Sequence, residues 1–125
     1  MRENEIGTKI LKSAFEVHKV LGPGLLESSY QKCLVYELRK SGLSVLSEVQ
    51  LPLTYKNVEI ESGYRLDIWV EKKVIIELKT IDDFEDIHTS QLLTYLRLTN
   101  CKLGYLLNFK TARFKKGIKR IANGL

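Results

Sequence analysis

Two carboxylates and one ammonium group fall where a β-hairpin would bring them together. Asp67 lies in a strand-like run from Tyr64 to Val70, and a second run, Val74 to Lys79, ends in Glu77 and Lys79. Side chains two residues apart leave the same face of a strand, so Glu77 and Lys79 share a face. Such a site can hold a divalent cation on oxygen ligands, with the lysine positioning or activating water. Charged residues at strand ends are also common, and the E-x-K spacing by itself does not decide between these alternatives.

Other polar residues could join this site, and each has an ordinary structural alternative. Glu27 follows a glycine turn at the start of a predicted helix. It could be a further acidic ligand, or it could be a first-turn glutamate that the helix dipole favours. Gln91, Tyr95 and His88 share a face of a later helix, distinct from the face of its leucines. They could hydrogen-bond phosphate oxygens or a metal-bound water, or face solvent. His18 lies among apolar residues, where a half-buried structural histidine is commoner than a ligand.

The composition is that of one ordinary globular domain, residues 1–125. Of its 125 residues, 44% are apolar and 28% are charged, and no apolar stretch is long enough to span a bilayer. The N-terminal residues lack the basic-then-apolar pattern of a signal peptide, so we expect a cytoplasmic protein. Cys33 and Cys101 have no C-x-x-C spacing and lie in or beside apolar segments. This predicts two reduced, partly buried thiols and neither a zinc site nor a disulfide.

The net charge of +5 is concentrated near the C-terminus. A basic surface favours polyanionic partners, because Lys and Arg neutralise phosphates and release their counterions. A solvated surface is the alternative for a charge of this size. If a nucleic acid binds, the candidates for contacting its phosphates are Lys110, Arg113, Lys115 and Lys119.

The periodicity of the apolar residues changes along the chain and predicts an α/β domain. Three- and four-residue spacing indicates helices over about 6–21, 25–40 and 86–99, whereas alternating and β-branched runs indicate strands. The strands are predicted at 44–55, 58–70, 74–79 and 103–109. The first three would form an antiparallel meander, and the last would lie parallel to 74–79 after a helical crossover. For the tail, a helix and a short final strand both remain open.

The sequence resembles the GxxExxY protein family. Gly24, Glu27 and Tyr30 occupy the three named positions of its signature, within the segment Leu21-Gly22-Pro23-Gly24-Leu25-Leu26-Glu27-Ser28-Ser29-Tyr30. Further segments resemble this family in the same order, namely Tyr64-Arg65-Leu66-Asp67, Glu77-Leu78-Lys79, Gln91-Leu92-Leu93-Thr94-Tyr95-Leu96, Leu107-Asn108-Phe109 and Gly117-Ile118-Lys119-Arg120. The family is placed in the PD-(D/E)XK nuclease superfamily. The resemblance therefore implies a restriction-endonuclease-like αβββαβ core with a mixed central sheet flanked by helices.

The resemblance also implies roles for individual residues in a magnesium- or manganese-dependent phosphodiesterase site. Asp67, Glu77 and the Leu78 carbonyl would hold the metal, joined by Glu27 directly or through water, and Lys79 would be the catalytic lysine. Gln91 and Tyr95 match the Q-x-x-x-Y element of exonuclease-like branches. In one departure from the family pattern, Leu66 and not proline precedes Asp67.

These residues predict a nuclease that acts on nucleic acid, with DNA favoured, and a homodimer is compatible with that prediction. The alternative is a non-catalytic module that uses the same fold to bind nucleic acid or protein. A degenerate module of that kind is expected to lose an acidic residue or the lysine, and this chain retains all of them.

Overall fold

The fold is a five-stranded mixed sheet with helices on both faces. A computed structural model describes the backbone of residues 1–125 and every side chain except that of position 62. The elements in chain order are α1 (Glu3–Leu21), α2 (Glu27–Lys40), β1 (Val45–Tyr55), β2 (Val58–Val70), β3 (Val74–Lys79), α3 (Asp86–Thr99), β4 (Leu103–Asn108), a 3₁₀ turn (Phe114–Gly117) and β5 (Ile118–Ala122). The predicted α/β class and the order of helices and strands are confirmed. The open question about the tail is resolved as a 3₁₀ turn followed by a strand.

The sheet has the strand order β1-β2-β3-β4-β5. β1, β2 and β3 form an antiparallel meander, β4 lies parallel to β3, and β5 is antiparallel to β4. Antiparallel neighbours are joined by tight turns, whereas the parallel pair requires the crossover that α3 supplies. Since β3 and β4 are parallel, their C-terminal ends lie at the same edge of the sheet. Lys79 and Asn108, which pair at that edge, mark where the candidate site lies.

The two faces of the sheet are covered by two separate apolar clusters. One lies under α1 and α2, which contribute Ile6, Ile10 and Leu34 to it, and the other lies under α3, which contributes Leu92 and Leu96. The strands β3 and β4 are fully covered, since nearly every residue in them is buried. Because parallel strands packed on both faces read as continuous apolar runs, these two strands were the easiest to predict.

The β1–β2 hairpin changes the cluster against which it packs halfway along its length. Val45 and Ile68 lie in the α1/α2 cluster, whereas Val49 packs against the α3 cluster and Leu66 lies within it. Residues separated by an even number of positions in a regular strand share a face, so both strands must be irregular between these positions. On β1 the irregularity is at Glu48, whose φ is +55°. The hairpin therefore twists next to Asp67, the first of the predicted site residues.

Two general predictions about the chain are also tested by the structure. Cys33 is half-buried, Cys101 is buried and both are free thiols. In the part of the chain that the structure describes, no helix is both long and apolar enough to cross a membrane.

Candidate active site

The site begins where β2 and β3 separate. Backbone pairing between these strands runs from Val70 and Val74 at the turn only as far as Ile68 and Ile76. In the next row, Asp67 faces Glu77 and the strands are joined through side chains. The Asp67 N–H donates to Glu77 Oε2 and the Leu78 N–H donates to Asp67 Oδ2, both at 2.9 Å. Each carboxylate thus accepts a backbone N–H of the opposite strand with one oxygen. We call this pair of hydrogen bonds the clamp, and the second oxygen of each carboxylate takes no part in it.

The two carboxylates of this clamp lie close together, with Glu77 buried and Asp67 half-buried, which opposes their ionisation. Burial, followed by the charge of Asp67, raises the pKa of Glu77 to about 8. Burial also raises the pKa of Asp67, although the Leu78 N–H and the charge of Lys79 act in the opposite direction. In the metal-free protein the site therefore favours a proton on Glu77 over a second negative charge beside Asp67. A divalent cation would favour the charged forms instead.

Glu27 approaches the same carboxylates from the first turn of α2. Burial and then the charge of Asp67 raise its pKa, while Lys79 lowers it, so its charge is coupled to both groups. The turn before it is held by Tyr30, whose hydroxyl donates to the Gly22 carbonyl at 2.5 Å and accepts the Leu25 N–H at 3.1 Å. The role of Tyr30 is thus to shape the turn that presents Glu27.

We expect Tyr30→Phe to destabilise the protein by about 1 kcal/mol, because two backbone groups of the turn lose their hydroxyl partner. The ring would keep its stacking on Phe109, whose centroid is 4.6 Å away. Urea denaturation of the variant and the wild type measures this difference. Tyr36→Phe is the matched control, since Tyr36 lies on the same helix with 64% of its surface exposed. Equal stabilities of all three proteins would contradict the structural role of the Tyr30 hydroxyl.

Lys79 is held in place through a residue to which the sequence assigned no role. Asn108, 1% exposed, pairs with Lys79 across β3 and β4. Its side chain donates to the Ile81 carbonyl at 2.8 Å and accepts the Ile81 N–H at 3.1 Å and the Lys110 N–H at 3.2 Å. These bonds fix the chain that leaves β3, and the backbone bond from Phe109 N–H to Lys79 O at 3.0 Å adds to them.

On α3, the three residues predicted to share a polar face differ in burial. Tyr95 is 4% exposed and belongs to the apolar cluster under α3, so the prediction of a face distinct from the leucines is wrong for it. Helical spacing misled here because a tyrosine can bury its ring and still direct its hydroxyl to a polar site. Burial, then the charge of Glu77, raises the pKa of Tyr95 to about 12, which places its hydroxyl near the carboxylates. Gln91 lies one turn before Tyr95 and is half-buried.

Both histidines have structural partners. His88 Nδ1 accepts the Glu85 N–H at 2.9 Å at the start of α3. His18 Nε2 bonds the Thr111 carbonyl at 2.8 Å, and its ring stacks on Phe114. Neither histidine is therefore needed to explain the chemistry of the site.

The structure adds two groups that the sequence did not predict. Glu48 lies between residues paired with Ile68 and Leu66, which places it opposite Asp67. It forms an ion pair with Arg65 at 3.5 Å, and the charges of both reach Asp67, with Glu48 raising and Arg65 lowering its pKa. Arg65 could have been suspected, since it lies two residues before Asp67 on the same strand. Glu48 could not, because its placement depends on a register shift within the hairpin.

The basic segment lies on the β4–β5 side of the site. Lys110, Arg113 and Lys115 follow β4 at the edge where β3 ends and are exposed. Lys110 also pairs with Asp82 at 2.5 Å, an exposed contact of the kind that adds little stability. Lys119 lies in the same row as Glu77, with one strand between them, at roughly 10 Å for two strand spacings. All four predicted phosphate-binding residues are therefore on one flank.

Comparison with protein families places this geometry in a known group. A model of the PD-(D/E)XK nuclease superfamily matches residues 4–121, so the chain belongs to that superfamily. The match is at superfamily level, and the finer resemblance to GxxExxY proteins stays a prediction. No curated protein and no solved structure matched the chain.

Members of this superfamily typically use divalent metals, and the residues present fit one. Asp67 and Glu77 supply carboxylate oxygens, the ligands that Mg²⁺ and Mn²⁺ prefer. Among the side chains that the structure describes, no three Asp, Glu, His or Cys residues lie close enough to hold a metal together. Asp67 and Glu77 are therefore the two carboxylates that could hold a cation, and Glu27 is coupled to Asp67 by charge.

Proposed function

We propose that this protein is a metal-dependent nuclease that hydrolyses phosphodiester bonds in nucleic acid, with DNA favoured. The observation that carries the proposal is the reciprocal clamp between Asp67 and Glu77, with Lys79 beside it on β3. A clamp that served only to join the strands would not need one buried and one half-buried carboxylate, because two backbone carbonyls could accept the same N–H groups. Burying charge is costly unless a function or a bound cation compensates for it.

The metal would be held by Asp67, Glu77 and the Leu78 carbonyl, with Glu27 acting through water. When bound, Mg²⁺ or Mn²⁺ would polarise the scissile phosphate and lower the pKa of a water molecule. The carboxylates would present their remaining oxygens to the cation in a fixed orientation, because the backbone clamp orients both groups. This preorganisation is what such a site requires from the protein.

The remaining side chains would act on the substrate and the water. Lys79 would orient the attacking water or stabilise the negative charge that develops on the phosphate. Tyr95 would donate a hydrogen bond to a phosphate oxygen, because a pKa of about 12 keeps its hydroxyl protonated at neutral pH. Gln91, one turn away, would supply amide donors to the same phosphate. Asn108 would keep Lys79 in place through the end of β3.

The flanking phosphates would be contacted by the basic segment, through Lys110, Arg113, Lys115 and Lys119. Contacts of this kind position a strand without reading its sequence. Lys110 would exchange its exposed partner Asp82 for a phosphate at little cost.

The proposal is tested by isothermal titration of Mg²⁺ and Mn²⁺ into the wild type and the Asp67→Asn/Glu77→Gln double variant. Amide replacements keep an oxygen for each backbone N–H of the clamp while removing the charges that attract a cation. We expect metal binding only in the wild type. The same samples, assayed on labelled single- and double-stranded DNA and RNA, are expected to show metal-dependent cleavage only for the wild type.

The other outcomes separate the rival function from the proposed one. Metal binding and nucleic-acid binding without cleavage of any substrate would assign the protein to non-catalytic binding modules of the same fold. Equal metal binding by the wild type and the double variant would remove Asp67 and Glu77 from the site.

A further inference from the structure

An exposed aromatic ring lies beside the candidate site, on the flank opposite to the basic segment. Tyr64, on β2, is 47% exposed, and its ring centroid is 6.2 Å from that of Tyr95. Tyr95 in turn is close enough to Asp67 and Glu77 for their charges to raise its pKa. Tyr64 thus contacts a buried ring that itself lies close to the two carboxylates.

From this arrangement we propose that Tyr64 stacks on an unpaired base next to the scissile phosphate, so that the substrate is single-stranded at the site. The inference rests on the proposed nuclease function and adds to it the class of nucleic acid and a residue that selects it. An exposed aromatic side chain offers a face to any base, and such stacking is how proteins hold single strands without sequence preference. A base inside a duplex has no free face to offer, so it would have to leave the stack first.

The distribution of charge across the sheet agrees with a single strand. On the β4–β5 side the exposed residues around the site are basic, including Arg113 and Lys115. On the β1–β2 side the exposed residues near the site include Tyr64 and the ion pair of Glu48 with Arg65. A duplex presents two phosphate backbones, and one of them would meet this flank, where the charge of Arg65 is already paired with Glu48. A single strand has one backbone, which the basic flank can hold while its bases turn toward the aromatic flank.

The position of Tyr64 in the sheet supports the same orientation. Tyr64 pairs with Leu51, which lies in the cluster under α3, so both side chains are on the α3 face of the sheet. Lys119 is on that face too, in the row of Glu77. The carboxylates therefore lie between an aromatic group and a cation on one face, and a nucleotide can span them with its base on one side and its phosphate on the other.

The test is the affinity of short oligonucleotides, measured by fluorescence anisotropy with Mg²⁺ present, in a Lys79→Ala background that slows cleavage of the ligand during the measurement. Three ligands are compared: a single-stranded thymidine oligonucleotide, an oligonucleotide of the same length that carries sugars without bases, and a duplex. Adding Tyr64→Ala is expected to weaken binding of the thymidine oligonucleotide about 10-fold and to leave binding of the base-free strand unchanged. Adding Tyr64→Phe, which keeps the ring, is expected to change neither.

Three results would overturn the inference. The first is unchanged thymidine binding in the Tyr64→Ala protein. The second is an equal loss for the base-free strand, which would show that the ring does not contact a base. The third is tighter binding of the duplex than of the single strand. The nuclease proposal fails separately, through absence of cleavage by the wild type, so the two failures are distinguishable.

Discussion

Replacing Lys79 with alanine is expected to lower the rate of metal-dependent cleavage by about 10²–10³-fold, the range seen when one preorganised electrostatic group is removed from an active site. Metal binding should persist, because the ammonium group is not a metal ligand. The fold should persist as well, because Asn108 holds the end of β3 through backbone contacts that the substitution does not touch. Single-turnover cleavage with saturating metal measures the chemical loss apart from any change in affinity.

Lys72→Ala is the matched control for this experiment. Lys72 is exposed and lies in the turn that begins β3, at the opposite end of the strand from Lys79. Its removal subtracts the same charge from the protein and is expected to leave the cleavage rate unchanged. A Lys79→Ala protein that cleaves at the wild-type rate would exclude the lysine from the mechanism. Equal losses in the two variants would assign the effect to net charge.

How much of this site was predictable depended on whether each residue follows the local periodicity of its strand or helix. Glu77 and Lys79 were predictable, because β3 is a regular apolar strand and alternation fixes which side chains share a face. Asp67 was placed opposite Glu77 because the hairpin turn at Glu71 and Lys72 is short and fixes the register. Local rules are sufficient where the backbone is regular.

Glu48 shows where local rules fail. At the turn of the β1–β2 hairpin, Tyr55 pairs with Val58. If the strands kept this register along their whole length, Leu46 would lie opposite Asp67. The register shifts between Leu51 and Leu53, so that Glu48 takes this position. Irregularities of this type depend on how the sheet twists against its helices, and no residue pattern marks them. The backbone of Glu48 is also strained at φ +55°, as is frequent near functional sites.

Asn108 and Tyr95 illustrate a second limit, which is that a residue type does not reveal its partners. Asn108 falls within a run of apolar residues, and only the fold shows that its amide binds the backbone beyond Lys79. The spacing predicts a polar face for Tyr95 because it considers only the polar hydroxyl and not the apolar ring. The ring is buried with Leu92 and Leu96, and the hydroxyl is directed to the site. Long-range packing decides both cases.

The metal-free protein is expected to become more stable when Glu77 is replaced by glutamine. The folded protein raises the pKa of Glu77 from 4.5 to about 8, so folding favours the protonated form of this carboxyl. The contribution of this bound proton to the free energy of unfolding is fully present below pH 4.5 and is lost as pH rises through about 8. Above that pH the folded protein must hold a buried carboxylate. Glutamine resembles the protonated form at every pH and keeps an oxygen for the Asp67 N–H.

The stability difference between Glu77→Gln and the wild type should therefore grow with pH, from nearly zero at about pH 4.5 to a plateau on the order of 5 kcal/mol above pH 8. Urea denaturation in EDTA over this pH range measures it. Glu59→Gln, an exposed position on β2, is expected to show no such difference at any pH. A Glu77→Gln protein no more stable than the wild type at pH 8 would contradict the assignment.

Adding Mg²⁺ is expected to reverse the order of stability, and this reversal connects the energetics of the fold to its function. A ligand that binds only the folded state stabilises it in proportion to the logarithm of its concentration above the dissociation constant. Below pH 8 the Glu77 proton must leave before its carboxylate can bind the cation, so metal affinity should fall as pH is lowered. The wild type would gain stability from Mg²⁺ above this pH, whereas Glu77→Gln would gain little. The carboxylate that is costly to bury in the metal-free protein is thus the group whose charge a bound cation would stabilise.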